Sequence, residues 1–241
     1  MVFMEEIPGR LLTVLTSPTP APAAPQALLV TAGIVLALVV VPPLWRYAGL
    51  VVTVVHELGH GLTGLLRGRR RVAIRVSGDH SGLTSSRGTA ASAPFSTFWG
   101  YPAPAVVGAL FITAACFGRA GLALVLGGAL LLVCLVFMRG FLAIALDVLV
   151  VAAACLAALY VPGVLLGYVV GGLGLFLLVG AYRGLGNLLA AHRRRDLASS
   201  DAAILAQATG VPAWLWIVLM ALVLLAATSV SARLVWNMLT I

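Results

Sequence analysis

The sequence predicts an all-α polytopic membrane protein, with about six to seven transmembrane helices and a small β-hairpin after the second. Three observations carry this prediction. Of the 241 residues, 62% are hydrophobic and only 9% are charged, and the mean hydropathy is +1.12. An ordinary soluble domain carries roughly 25% charged residues, so this chain cannot coat itself for water. Between about residues 27 and 236 it divides into apolar runs near the ~20 residues that cross a ~30 Å hydrocarbon core. One segment instead alternates with the period of a strand.

Taken in order, Met1 to Gln26 contains Glu5 and Glu6 and ends in Pro18-Thr19-Pro20-Ala21-Pro22-Ala23-Ala24-Pro25. A cleavable signal needs a basic start and an unbroken apolar core. Residues 1–26 therefore read as a cytoplasmic leader with a stiff proline-rich linker, and 27–241 as one integral-membrane domain. The first span, about 27–41, stops at Pro42-Pro43, which lack amide donors. Trp45 and Arg46 follow at an interface, and a second span, about 48–66, ends in Arg67, Arg69, Arg70 and Arg71. Val72-Ala73-Ile74-Arg75-Val76 alternates, Ser77-Gly78-Asp79-His80-Ser81-Gly82 supplies turn chemistry, and Leu83-Thr84-Ser85-Ser86-Arg87 returns as a partner strand. Further spans fall at about 101–118, 120–138, 140–160, 163–182 and 213–235. Glycines 163, 167, 171, 172 and 174 suit close helix packing in a pair short enough for the count to drop to six.

The formal charge of +8 and pI of 10.5 do not mark a nucleic-acid binder. All fifteen basic residues are arginine, and the clusters Arg67 to Arg71 and Arg193-Arg194-Arg195 sit just past apolar runs without interleaved aromatics. Seven spans with a cytoplasmic N-terminus leave Arg46, Arg119 and Arg233 outside and the other twelve inside, the bias of a multi-pass protein of the cell membrane. Cys116, Cys134 and Cys155 lie singly in apolar runs, without the spacing of a zinc or redox motif.

The chemistry concentrates in His56-Glu57-Leu58-Gly59-His60, inside the second span. Residues four apart on a helix are offset by only about 40°, so both imidazoles can reach one metal ion, with Glu57 beside them as a general base. Three polar side chains are costly in a membrane helix, which sets this occurrence apart from a chance match in a soluble one. The pattern points to hydrolysis by a water that Zn2+ activates.

Together with the strand-like segment, Gly100-Tyr101-Pro102-Ala103-Pro104, Ser200-Asp201-Ala202, Thr209-Gly210-Val211-Pro212 and Trp214, this motif resembles the site-2 protease family of intramembrane zinc metalloproteases, in particular its short bacterial branch without a PDZ domain. The resemblance covers roughly residues 45 to 216. It implies two histidine ligands, His56 and His60, the base Glu57, and an aspartate from a later helix. That aspartate maps to Asp201, although Ser200 and Ala202 stand where larger relatives have leucine and glycine. Asp201 also suits the first turn of a helix capped by Ser199 or Ser200. Asp147 is the rival third ligand. It stands alone in an apolar run, eight residues from Arg139, as His60 is seven from Arg67, which puts both at similar depth. A pairing of Asp147 with Arg139 is the alternative.

Asp79 and His80 read as turn residues facing solvent, with a lesser prospect of gating or binding substrate, and His192 and Asp196 as a solvated loop. Asn187 has the chemistry to hydrogen-bond near the site. An exposed hairpin edge would hold an unwound peptide by main-chain hydrogen bonds, or merely cap the bundle. The expected partners are the lipid bilayer and a membrane-protein substrate, by resemblance a membrane-anchored regulator such as an anti-sigma factor. The alternatives are a membrane metal-binding or transport protein using the same histidines, and a degenerate protease scaffold. A carrier needs a succession of polar groups, of which this chain has few beyond the one cluster, and a scaffold needs a damaged motif or a metal that no third ligand reaches.

Overall fold

A computed structural model describes residues 2–195, 197 and 200–240, with side chains from residue 8 onward. Ser199 and Asp196 lie outside the described residues. The fold is a helical bundle with one two-stranded sheet.

The leader forms α1 (Val2–Thr16), whose Val14 packs with α6 (Ala120–Cys134) and whose Arg10 donates to the Leu159 carbonyl at 3.1 Å. The proline linker is docked too: Thr19 N–H donates to the Gly118 carbonyl at 2.8 Å, and Ala24 N–H to the Tyr168 hydroxyl at 2.9 Å. The apolar helix α2 (Pro25–Val40) has 16 residues. Among the described residues, five helices are long and apolar enough to cross a membrane: α3 (Pro42–Leu66), α6 with its 3-10 extension, α7 (Phe141–Tyr160), α8 (Gly163–Arg194) and α10 (Ala213–Thr240). A sixth forms if α4 (Ala93–Phe98), with its preceding 3-10 turn, and α5 (Pro102–Cys116), bent by 51°, count as one span. The difference from seven spans is α2, which stops short at the prolines.

Pro42 and Pro43 end α2 and also open α3, since the first helical turn needs no amide donors. Trp45 and Arg46 are therefore helical rather than in a connecting loop. The Val39 carbonyl would ordinarily face the missing Pro43 N–H, and Arg183 of α8 donates to it instead. The Arg183 guanidinium also lies 4.5 Å over the Trp45 ring. It thus sits at the N-terminal end of α3, not with the arginines at its other end.

The hairpin forms where the alternation places it: β1 (Arg70–Val76) pairs antiparallel with β2 (Gly82–Arg87), Ile74 opposite Thr84. Val72, Ile74 and Val76 are buried against Leu50, Val54 and Leu58 of α3, which pins the register, because a one-residue slip would turn the arginines inward. The far edge of β1 is closed by Arg139, whose N–H donates to the Ile74 carbonyl at 2.8 Å. Among the described residues no third strand pairs with the free edge of β2, and the Arg69 guanidinium donates to the Ser86 carbonyl at 3.1 Å. In the turn, Asp79 Oδ1 accepts from Ser81 N–H at 3.0 Å and from Ser81 Oγ at 2.6 Å, and His80 takes a left-handed φ of 66°. The bundle core is set by α5 and α8, which meet at Gly108 and Gly174; a Cβ on either would come within 2.5 Å of the other's carbonyl oxygen.

After α8, the short helix α9 (Asp201–Thr209) begins at Ser200, whose Oγ accepts from Ala203 N–H at 3.3 Å. Gly210, at φ 73°, ends it.

Candidate active site

Helix α3 carries His56, Glu57 and His60 on the side covered by the hairpin, facing a cleft of roughly 730 Å³. The i, i+4 spacing aligns the imidazoles, with Nε2 atoms 3.1 Å apart. The His60 tautomer is set from α4, and the His56 ring is packed by the residue that precedes α5. His60 Nδ1 lies 2.9 Å from the Ser96 carbonyl, an acceptor, so this nitrogen carries the proton and the Nε2 lone pair points into the site. Ser96 Oγ donates back to the His60 carbonyl at 2.8 Å. The His56 ring meets Tyr101 edge-on, with centroids 4.6 Å apart.

Asp201 arrives from the first turn of α9, aimed by the Ser200 cap. Its Oδ2 lies 3.4 Å from His56 Nε2 and 3.2 Å from His60 Nε2, yet is buried without a hydrogen bond of acceptable geometry. Burial pushes this carboxyl up, but its contacts with both imidazoles outweigh that effect and hold it below the usual carboxylate range.

Two nitrogens and one oxygen form a triangle with edges of 3.1, 3.2 and 3.4 Å. Ligands bound tetrahedrally at ~2.0–2.1 Å stand about 3.3 Å apart. The donor set suits zinc, and space beside it is kept by Gly100: a Cβ there would fall 2.5 Å from His60 Nε2 and 2.7 Å from His56 Nε2. Glu57, only 4% exposed, is brought close enough for His56, Glu57 and His60 each to offer a ligand atom within 4.8 Å of the others.

Asp147 is not brought to this cluster. It is buried on α7, both carboxylate oxygens lack a hydrogen bond, and it does not line the cleft. It does not pair with Arg139 either, whose Nη1 donates to the Val136 and Met138 carbonyls. Asn187 is on the cleft wall. His192 contacts the Ser200 hydroxyl at 2.7 Å and so braces the cap beside Asp201, a role its arginine-rich surroundings did not signal.

His80 also departs from the solvent-facing expectation. It lines the cleft and stacks on Trp45, with ring centroids 5.8 Å apart and planes within 16°, docking the hairpin tip. Burial, reinforced by the nearby Arg183 charge, lowers its pKa against the opposing Gly49 carbonyl and Asp79. A depressed histidine pKa favours the docked form above the unperturbed value of ~6.5, and this contribution is lost as pH falls through the lowered value. Protection factors of the Ser77 to Gly82 amides, which divide out the intrinsic pH dependence of exchange, are therefore expected to fall between pH 7 and 5, and a His80→Phe protein to lose that fall.

A model of the family described as Peptidase M50B-like matches residues 29–231. No curated protein and no solved structure matches the chain.

Proposed function

The chain belongs to the Peptidase M50B-like family, and from that premise we propose that it is an intramembrane zinc endopeptidase that cuts membrane-spanning or membrane-adjacent proteins. The observation that carries this reading is the convergence of His56, His60 and Asp201 on one point, with Glu57 alongside. His56 and His60 would hold the ion through Nε2 and Asp201 through Oδ2. Zinc bound there supplies Lewis-acid activation of the scissile carbonyl and a water whose pKa falls to about 7.

The protein's own residues do the rest. The Glu57 carboxylate takes the proton from the attacking water and passes it to the leaving amine nitrogen. Ser96 keeps His60 in its ligating tautomer. The free edge of β2, whose residues 82–86 line the cleft, suits an unwound peptide, adding it as a third strand through main-chain hydrogen bonds. A helical substrate must unwind before its carbonyls are free, and this edge offers replacement partners. The arginine bias puts the α3 end nearest His60, and hence the cut, toward the cytoplasmic face. A membrane-anchored regulator is the substrate class this placement suits.

The test is metal content and peptide-bond cleavage by the detergent-purified protein. One zinc per chain is expected, with cleavage lost on chelation and restored by zinc. Wild type that binds no zinc under metal-replete conditions would overturn the enzyme reading in favour of a membrane scaffold.

A further inference from the structure

The hairpin does more than cover the site, because one of its side chains reaches the general base. Thr84 lies opposite Ile74, on the face of the sheet turned toward α3. Its Oγ1 donates to Glu57 Oε2 at 2.6 Å and has the Glu57 backbone carbonyl within 3.1 Å. Two positions earlier, Gly82 lies flat against the same side chain: a Cβ there would come within 2.6 Å of Glu57 Cδ and 2.7 Å of Cγ and would also strike Oε1. Glu57 is therefore sandwiched between its own helix and β2, seated on a glycine and tied by a threonine. A hydroxyl has one proton and two lone pairs. With the carboxylate and the carbonyl both in reach, Thr84 always has an acceptor for that proton, and it leaves Oε1 as the oxygen free to exchange a proton.

We propose that Thr84 is the positioning residue of Glu57, and that through it β2 couples the seating of an extended peptide to the alignment of the base. The proposal rests on the peptidase reading above. A peptide added to the free edge of β2 would steady the strand that holds the carboxylate, so a poorly seated segment would meet a misaligned base. The effect belongs in turnover rather than in affinity, because Thr84 faces α3 while the peptide pairs with the strand edge.

The experiment compares zinc-loaded wild type, Thr84→Val, Thr84→Ser and Glu57→Gln. Valine keeps the shape and strand preference of threonine without the hydroxyl. A lost hydrogen bond to a charged group predicts a fall in kcat of about 10- to 100-fold for Thr84→Val, with KM and zinc content unchanged; Thr84→Ser, which keeps the hydroxyl, is expected to recover most of the activity. A second readout needs no substrate. Difference infrared spectra of Thr84→Val against wild type are expected to show a shifted carboxylate stretch, which vanishes when both proteins also carry Glu57→Gln. If Thr84→Val keeps wild-type kcat, if Ser restores nothing, or if no Glu57-dependent band appears, the positioning role is wrong. If the band appears but wild type cleaves nothing, the tether stands and the peptidase reading falls.

Discussion

Glu57→Gln is expected to abolish cleavage, by about 10³-fold or more, while one zinc per chain remains bound. General bases contribute roughly 10²–10⁴-fold, and glutamine keeps the size and the carbonyl acceptor of glutamate but cannot take up a proton at neutral pH. Its amide oxygen still offers Thr84 a hydrogen-bond acceptor at the position of Oε2, so the hairpin should stay docked. The proposed metal donors His56, His60 and Asp201 are untouched. The check is turnover alongside metal analysis of the same purified sample. Cleavage surviving in the pure variant would rule out Glu57 as the base; loss of zinc together with activity would instead make Glu57 a ligand.

Asp201→Ala is expected to strip the site of metal, whereas Asp147→Ala should retain it. Removing one of three donors leaves two histidines in a cleft open to water. Changes one shell further out already cost 10–100-fold in metal affinity, so occupancy below about one-tenth is expected at micromolar zinc. Asp147, buried on α7 away from the cleft, has no bearing on that occupancy. Zinc content measured after each variant is shown to be folded decides between them. Zinc lost from Asp147→Ala and kept by Asp201→Ala would reverse the assignment. Alanine at 201 leaves the Ser200 cap in place, so a metal loss would not be a melted α9 in disguise.

Both expectations draw on residues visible in the sequence, but the two kinds of visibility differ. His56 and His60 are four apart on one helix, and the helical repeat alone brings them together. The hairpin was equally local: alternation in Val72 to Val76, turn residues at 77–82 and a polar return strand put both strands close to where they lie. The apolar runs disclosed a multi-span membrane protein, with boundaries altered where proline acts twice, ending α2 and opening α3.

Other contacts had no local signature. Asp201 was favoured only through a family resemblance from which Ser200 and Ala202 depart, and the depth argument, which set Asp147 level with His60, kept the rival open. Thr84 read only as a strand residue, His80 as a turn residue with a lesser prospect of gating or binding substrate, and Gly100 only as part of a helix opening. Their roles come from β2 and α4–α5 closing over α3. Hydropathy and short periodicities are properties of neighbouring residues, so the membrane-type composition, the helices, the hairpin and the pairing of the His56 and His60 imidazoles were legible in the chain alone. Which carboxylate stands beside the two imidazoles and which hydroxyl meets the Glu57 side chain depend instead on the tertiary packing of separate helices and strands, and that geometry is written in no single stretch of chain.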